Sequence, residues 1–272
     1  MDSLKAFLYE HAVDGLLPLH SQQQAVERFG FSFPQVEEVV VELGLLPARY
    51  QRNRQTISIE GQRTLFRSRV AVVGCGGLGG YVIEQLARLG VGHIVAIDPD
   101  VFEEHNLNRQ VLSTLDNLGQ PKVGAAKERV KEINPAVTLL PSQVALSGAN
   151  GHELLQESHV VVDALDSITV RLQLAQICAE MNLPLVHGAI GGWYGHVTTQ
   201  LPTERSIQKL YGGCTEGKGI EKQLGNPSFT PAVVASLQVA EVCKIVLGEG
   251  QLLSGRTLAV DLLAMEFHEM GL

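Results

Sequence analysis

The sequence is poor in cysteine, and the cysteines that it has form no C-x-x-C pair. Cys75, Cys178, Cys214 and Cys243 are scattered along 272 residues. A structural zinc site needs closely spaced thiolate or imidazole ligands, so the sequence predicts no zinc site. Unpaired cysteines are also typical of a reducing compartment rather than of a secreted, disulfide-bonded protein.

The sequence shows no secretory signal region and no apolar run near the length of a membrane span. Together with the cysteine pattern, this predicts a cytoplasmic protein that does not cross a membrane. Internal repeats and low-complexity tracts are also absent. A chain of 272 residues can therefore hold one large core and a small accessory unit.

An excess of basic residues is missing too. Lys and Arg number 21 against 29 Asp and Glu, which gives a formal net charge of −8. Binding to nucleic acid depends mainly on basic side chains that neutralise phosphates. The overall charge therefore argues against a nucleic-acid surface.

The first 48 residues have the pattern of a small helical module. Apolar residues recur at helical spacing from Leu4 onward, in 22–29 and in 34–45. The turn at 28–32 could belong to a helix-turn-helix, but residues 35–42 are acidic and would repel phosphate. We interpret residues 1–48 as a cap or a partner-docking module rather than a DNA-binding unit.

What is present is a glycine turn between two β-branched runs. Residues 70–73 fit a buried parallel strand, and Gly74, Gly76 and Gly79 follow at the G-x-G-x-x-G spacing that brings backbone N–H groups to a phosphate. The second β-branched run ends at Asp98, about 20 residues after the glycine turn, at the position where an acidic residue of a dinucleotide-binding fold binds a ribose hydroxyl. Alone, the pattern is weak, because it marks mostly NAD or FAD enzymes and sometimes only tight packing.

Polar groups follow these strands. Residues 106–110 read Asn-Leu-Asn-Arg-Gln, Lys122 precedes another helical run, and the apolar run at 159–162 leads into Asp163 and Asp166. In an open α/β sheet, ligands bind at the carboxyl ends of the strands. The sequence therefore places these groups where a ligand would lie.

The glycine loop, the Asn-x-x-Arg-Gln motif, the lysine and the D-x-x-D-S motif together resemble the adenylating enzymes related to ubiquitin activation, the MoeB/ThiF/HesA family. The resemblance covers about residues 49–268 and includes 49–55, 60–62 and 187–189. It implies a Rossmann-like, doubly wound α/β domain over 49–272, with a mostly parallel sheet and antiparallel C-terminal strands. It also implies ATP rather than NAD.

The resemblance implies a role for each matching residue. The nucleotide cradle falls on Gly74, Gly76, Gly77 and Gly79, and the ribose contact falls on Asp98. The phosphate contacts fall on Asn106, Arg109, Gln110 and Lys122. Arg109 and Lys122 would offset charge that builds up at the α-phosphate. Asp166 matches the aspartate that holds Mg²⁺-bound phosphate, which suits the preference of Mg²⁺ for hard oxygens. We assign Asp163 a structural role.

Several of these residues also have a plainer explanation. Asp98 could cap a loop. Lys122 could be a solvated lysine, although a positive charge at a helix start is unfavourable unless an anion is near. Asp166 and Ser167 could form a helix N-cap.

In the resembled family, an arginine before the first strand crosses to the nucleotide site of the partner subunit, which makes a homodimer the catalytic unit. Arg54 is the best match for this arginine. Arg52 stays open, because the spacer before Glu60 is shorter than in the molybdopterin-synthase activators. For either residue, an ordinary surface arginine is the alternative.

Some relatives use a cysteine in the loop that crosses over the nucleotide site. Here that loop is about 201–231, and its cysteine is Cys214. A nucleophilic thiolate needs a cation or a helix terminus nearby, and only Lys209 and Lys218 are close in sequence. We interpret Cys214 as an incidental thiol and leave a covalent intermediate open.

The C-terminal part is predicted to add strands at 183–190, 195–200, 258–262 and 265–270 and an apolar core helix at 231–247. In the resembled family this face holds the ubiquitin-like partner. Trp193 and Tyr194 could contact such a partner or could pack internally.

The resemblance implies ATP-dependent adenylation of the C-terminal glycine carboxylate of a ubiquitin-like sulfur carrier that ends in Gly-Gly. The pathway could supply thiamine or a molybdenum or tungsten pterin. Three alternatives stay open. They are activation of a small-molecule or tRNA-borne carboxylate, as in the threonylcarbamoyladenosine dehydratases, a non-catalytic nucleotide-binding scaffold, and an NAD-dependent oxidoreductase.

Overall fold

The computed structural model describes residues 1–213 and 224–272. The candidate nucleophile Cys214 lies outside these ranges. The described chain begins with a helical module made of α1 (Asp2–Glu10), β1 (Leu16–Leu17), α2 (Leu19–Phe29), α3 (Phe33–Glu42) and β2 (Leu46–Pro47). The predicted N-terminal helices are thus confirmed, whereas the short β1–β2 pair was not predicted.

The module has its own apolar cluster. Leu8, Leu17 and Val36 are fully buried in it, and its other members also come from the first 45 residues. Helix α3 begins with a capping box, in which Ser32 and Gln35 satisfy each other's backbone and side-chain groups. A 3₁₀ turn, Ala48–Tyr50, then leads into the larger part of the chain.

Eight strands form the main sheet of the described chain. In chain order they are β3 (Arg69–Val73), β4 (His93–Ile97), β5 (Thr138–Ser142), β6 (Val160–Asp163), β7 (Leu185–Gly191), β8 (Tyr194–Gln200), β9 (Arg256–Asp261) and β10 (Glu266–Gly271). Their order across the sheet is β10-β9-β8-β7-β6-β3-β4-β5.

Strands β3 to β7 pair in parallel, and β7 to β10 pair antiparallel. The predicted Rossmann-like fold with antiparallel C-terminal strands is therefore confirmed. The central strands are rich in valine and buried, as expected for strands covered on both faces.

Helices cover the two faces of the sheet. They are α4 (Ile59–Arg67), α5 (Gly77–Leu89), α6 (Lys122–Ile133), α7 (Gly151–Leu155), α8 (Ile168–Glu180), α9 (Ser206–Tyr211) and α10 (Phe229–Leu247). One core cluster contains residues of α5, α6 and α10, and a second contains residues of α7, α8 and α9. The chain runs from β3 outward to β5 and then returns to the other side of β3, so a crevice opens at the carboxyl ends of β3 and β6.

Helix α10 corrects one expectation from the sequence. By length and composition, its 19 residues could span a membrane, so a run of that size is present. The helix instead packs against α5 and β7. Its buried Gln238 donates from Nε2 to the backbone oxygen of Asp163 at 2.8 Å. Such hydrogen bonds are typical of polar side chains buried in the core of a fold.

Candidate active site

A cavity of about 300 Å³ lies at the carboxyl ends of β3, β4 and β6. A cavity of this size is within the range of small-molecule sites. Most of the predicted nucleotide residues line it, namely Gly74, Gly76, Gly77, Asp98, Arg109, Gln110, Lys122 and Asp166. The fold therefore brings together side chains that are up to about ninety positions apart in the sequence.

The glycines of the loop serve two different purposes. Gly74 has a φ of +97°, and a Cβ at this residue would lie 2.6 Å from the backbone oxygen of Ala164. A Cβ at Gly79 would lie 1.7 Å from the oxygen of Gly74. These two glycines permit close packing of the loop, and Gly79 does not line the cavity.

Gly76 and Gly77 do line the cavity. A Cβ at either position would meet no atom of the described residues closer than 3.5 Å. Residues 1–213 and 224–272 therefore leave room for a side chain at both positions. Their exposed backbone matches a cradle into which a ligand fits closely.

Asp98 fixes the glycine loop, as one of its two sequence-based explanations predicts, and its contact with a ribose stays a prediction. The Cys75 amide donates to Asp98 Oδ2 at 2.7 Å, and the Asp100 amide donates to Oδ1 at 2.8 Å. Burial raises the pKa of Asp98, while the Cys75 amide and Lys122 act in the opposite direction. The carboxylate thus fixes the glycine loop and also lines the cavity.

Lys122 is the first residue of α6 and is almost fully buried. Its Nζ lies 2.9 Å from Oδ2 of Asp100, a carboxylate that also lines the cavity. The sequence reasoning did not single out Asp100, although a second acid two residues after Asp98 was a possible signal. Asp100 supplies the anion that a lysine at a helix start requires.

Arg109 and Asp166 are coupled electrostatically in the cavity wall. Burial lowers the pKa of Arg109, and the carboxylate of Asp166 opposes that effect. Arg109 Nη1 donates to the backbone oxygen of His105 and to Asn108 Oδ1, both at 2.9 Å. Asp166 is exposed, and Ser167 is the residue whose side chain caps α8. A helix cap therefore does not account for the Asp166 carboxylate.

Gln110 is buried beside Gly76, and its Oε1 atom has no hydrogen-bond partner among the described residues. A buried acceptor without a donor is costly. Because Gln110 lines the cavity, a ligand that donates a hydrogen bond or brings a bound cation would satisfy this atom.

Asn106 and Arg54 do not reach the cavity in this chain. Asn106 is buried, and its Oδ1 accepts from the Glu103 amide at 3.0 Å, which closes a turn. Arg54 and Arg52 are exposed and line a separate surface groove. Supply of Arg54 or Arg52 by a second subunit stays a prediction.

Behind the cavity, Asp163 occupies the buried structural position expected for it. Its Oδ2 lies 2.7 Å from His187 Nδ1, and its Oδ1 accepts from the Leu165 amide at 3.0 Å. Burial alone would raise the pKa of Asp163, but His187 and Arg171 lower it below its ordinary value. Arg171 also donates to the Leu165 oxygen. The backbone amide and the carbonyl oxygen of Leu165, the residue before Asp166, are thus both held by hydrogen bonds.

The buried network extends from His187 to two further rings. His187 Nε2 lies 3.0 Å from the Tyr211 hydroxyl and 3.1 Å from His196 Nε2. Burial lowers the pKa of His187 and brings that of His196 to about 3. Both rings are therefore neutral near neutral pH, and His187 donates from Nδ1 to Asp163.

The sequence profile of the ThiF family matches residues 50–272. A SAMP-activating enzyme E1 from Haloferax volcanii is 38% identical over 224 residues, which cover 81% of this chain and 83% of the relative. A sulfur carrier protein adenylyltransferase from Thermus thermophilus is 34% identical, with 82% and 86% covered. The chain belongs to the ThiF family.

Membership of the ThiF family confirms the resemblance inferred from the sequence motifs. A solved structure, that of E. coli MccB, is also similar, with a TM-score of 0.70 and 20% sequence identity over 92% of this chain and 80% of that chain. At this level of identity the likeness concerns the fold alone. The ThiF match begins at residue 50 and so leaves out the helical module.

The ThiF family implies ATP, and the cavity fits it. Gly76 and Gly77 leave backbone free for phosphate, and Gln110 has an unsatisfied acceptor. Among the described residues, no group of three His, Cys, Asp or Glu side chains could hold a metal ion. A single carboxylate such as Asp166 nevertheless suits Mg²⁺ that is also bound by substrate phosphates. The absence of a zinc site stays a prediction.

Proposed function

We propose that this protein transfers AMP from ATP to the C-terminal glycine carboxylate of a ubiquitin-like sulfur-carrier protein. The observation that carries this proposal is the ThiF family cavity, which combines an open glycine cradle with Arg109, Lys122 and Asp166. The names of the two relatives, a sulfur carrier protein adenylyltransferase and a SAMP-activating enzyme E1, support the same class of reaction.

The reaction needs no general base, because a carboxylate is already ionised near neutral pH. A carboxylate oxygen forms a bond to the α-phosphorus, and the bond from that phosphorus to the bridging oxygen breaks. The electron pair leaves with pyrophosphate. The protein contributes positioning and charge neutralisation.

We assign neutralisation of the negative phosphate charge to Arg109 and Lys122. Lys122 is held in the cavity wall by Asp100, so its ammonium is already placed and partly desolvated before ATP arrives. Asp100 is largely exposed and can give up this contact to a phosphate. Asp98 would contact the ribose through lone pairs that the two backbone amides do not use.

Asp166 would hold Mg²⁺ together with the ATP phosphates. When bound, the ion supplies further neutralisation of phosphate charge. The chain's own part is to keep the Asp166 carboxylate in place, and the double anchoring of Leu165 by Asp163 and Arg171 serves this purpose.

The carrier protein would dock at the antiparallel end of the sheet. Every residue of β10 is exposed, and Trp193 and Tyr194 are each 44% exposed. Trp193 lies against Phe229, with ring centroids 4.5 Å apart. Exposed aromatic groups on a rigid sheet are typical of protein interfaces.

We further propose a cytoplasmic homodimer in which Arg54, or alternatively Arg52, completes the site of the partner subunit. In this arrangement residues 1–48 form an accessory module and residues 49–272 the adenylation domain. The exposure of both arginines, outside the cavity of their own chain, is consistent with use in another subunit.

ATP–pyrophosphate exchange tests the proposed function. The purified protein is incubated with Mg²⁺, ATP, labelled pyrophosphate and, one at a time, the small Gly-Gly-ended proteins of the same genome. Carrier-dependent label in ATP is expected, and it identifies both reaction and partner. Silence with every carrier, despite ATP binding, would refute the proposal and point to a small-molecule or tRNA-borne carboxylate.

A further inference from the structure

The helical module makes a buried polar contact with the segment that carries the two arginines. Glu37 lies on α3 and is fully buried. Its Oε1 accepts from the Tyr50 hydroxyl at 2.8 Å, and its Oε2 pairs with Arg49. Arg49 Nη2 also donates to Gln22 Oε1 at 2.6 Å. The 3₁₀ turn is thus tied to both α2 and α3.

The same tyrosine is fixed from the opposite side by the nucleotide-binding part of the chain. Asn134 Nδ2 donates to the Tyr50 hydroxyl at 2.7 Å and to the Ala87 oxygen at 3.0 Å. A Cβ at Gly90 would lie 2.4 Å from that hydroxyl, so the glycine makes room for it. Tyr50 is therefore held between the module and the ends of α5 and α6.

The turn at residues 51–56 follows directly and carries Arg52 and Arg54. The Asn53 amide donates to the Tyr50 oxygen at 2.8 Å, and the Ile57 amide donates to the Asn53 oxygen at 2.8 Å. These two bonds close the arginine turn (residues 51–56), and the first of them anchors it directly to the backbone of Tyr50. On its outer side, Asp14 and Leu16 of the module line the same groove as the two arginines.

We propose that Glu37 is a positioning residue that acts through Tyr50 on the arginine turn. Glu37 thereby fixes the orientation of the arginine, Arg54 or Arg52, that completes the site of the partner subunit. This inference rests on the proposed function. A buried carboxylate is an expensive way to obtain stability alone, whereas a catalytic arginine on an exposed turn needs a fixed anchor.

The module therefore contributes to the adenylation site without touching ATP. It covers a part of the chain that the family match leaves out. An arginine displaced by about 1 Å can cost as much as a hundredfold in rate. Loss of the Glu37 contact should thus act on the chemical step more than on ATP binding.

A double-mutant cycle tests the inference on the full-length protein with its carrier. The variants are Glu37→Gln, Arg54→Ala, Arg52→Ala and the two double variants. Each is assayed for kcat and KM of ATP–pyrophosphate exchange, for dimer mass and for thermal midpoint, at a temperature well below every midpoint. Glu37→Gln should lower kcat by about tenfold with little change in KM for ATP.

The deciding result is the behaviour of the double variants. If Glu37 acts through one arginine, Glu37→Gln should cause no further loss once that arginine is alanine. An equal loss in the wild-type background and in both arginine backgrounds would overturn the inference, and so would an unchanged kcat in Glu37→Gln. Tyr50→Phe, which keeps the ring and removes the hydroxyl, serves as the second variant if Glu37→Gln does not fold.

Arg67→Ala is the matched control. Arg67 pairs with Glu38 and Glu42 through partly exposed side chains and so links α3 to α4, and it does not line the groove of the arginine turn. Its exchange rate should equal that of the wild type. A loss as large as that of Glu37→Gln would show a general effect of module docking and would overturn the specific role of Glu37.

The cycle also separates this inference from the proposed function. A wild-type protein that exchanges with no carrier refutes the proposed function, and the positioning role with it. A wild-type protein that exchanges, but is slowed by neither Arg52→Ala nor Arg54→Ala, overturns only the role of the arginine turn and of Glu37.

Discussion

Lys122 Nζ lies 2.9 Å from Asp100 Oδ2, so the lysine assigned to the ATP phosphates already has a carboxylate partner inside the cavity. ATP must replace this partner. Because Asp100 is 63% exposed, the pair is worth no more than about 1 kcal/mol. The competition is therefore mild, and it affects binding rather than chemistry.

Asp100→Asn should accordingly lower KM for ATP by about threefold, while kcat stays within about twofold of the wild-type value. Steady-state exchange at varied ATP measures both constants. A raised KM would instead mean that Asp100 contacts the nucleotide or its metal ion.

Asp166→Asn and Arg109→Ala should each lower kcat for exchange by roughly a hundredfold or more. Arg109→Ala removes a positive charge from the phosphates, and Asp166→Asn removes the carboxylate that would hold Mg²⁺ there. The exposed Asp166 should be replaceable without a change in thermal midpoint. Asp163→Asn is the matched comparison, since it disturbs a buried network and should lower the midpoint. Loss of folding in Asp166→Asn would contradict the assignment.

Gly76→Ala and Gly79→Ala should separate ligand space from packing. Gly76→Ala should keep the fold, since within the described part of the chain the new Cβ meets no atom closer than 3.5 Å, and it should raise KM for ATP by about tenfold or more. Gly79→Ala should lower the free energy of unfolding by about 3 kcal/mol or more, because its Cβ would collide with backbone. Urea unfolding and exchange kinetics measure the two effects, and equal destabilisation of both variants would refute the distinction.

Mixing two strongly impaired variants tests the shared site. Arg54→Ala and Asp166→Ala protomers, allowed to exchange subunits, should recover about a quarter of wild-type activity, because one site of each mixed dimer is then intact. Each variant alone should keep only a small residual rate. If the arginine served its own chain, mixing would restore nothing, and Arg52→Ala is tested in the same way.

The neutral His196 predicts an acid-sensitive fold. Its pKa falls from an ordinary value near 6.5 to about 3 in the folded protein, so below about pH 6.5 the unfolded chain binds a proton that the folded chain does not. As the pH is lowered from 6 to 4, protonation of His196 in the unfolded chain should lower the free energy of unfolding by about 1.4 kcal/mol per pH unit. His196→Gln should flatten that slope in urea titrations, and an unchanged slope would contradict a neutral His196.

The sheet was predictable because its signals are local. Buried parallel strands are runs of valine and isoleucine, and the glycine turn between two of them fixes strand, helix and nucleotide site together. Lys122 and Asp166 could be assigned because the family motifs mark them. The contact of Lys122 with Asp100 could not be predicted, because the two residues are far apart in the sequence and meet only in the folded chain.

Two side chains show why sequence reasoning stops short. The family motif predicts a phosphate contact for Asn106, which stays a prediction, but in this chain its Oδ1 closes a turn with the Glu103 amide, and an asparagine that closes a turn looks the same in sequence as one that faces a ligand. Glu37 belongs to the acidic run at 35–42, and nothing in that run indicates burial, but it is fully buried against Arg49 and Tyr50. Burial of a charged group depends on partners that lie far away in the chain.

Strand β10 ends the sheet, and its outer edge carries no further strand in the described part of the chain. An open edge invites pairing with another copy, which charged side chains oppose. Glu269 on this strand pairs with Arg256, whereas Glu266 has no lysine or arginine partner among the described residues, so its carboxylate opposes the edge-to-edge approach of a second copy. A strand of another protein that carries lysine or arginine would not be repelled, so this edge favours a basic partner strand over a second copy of the chain.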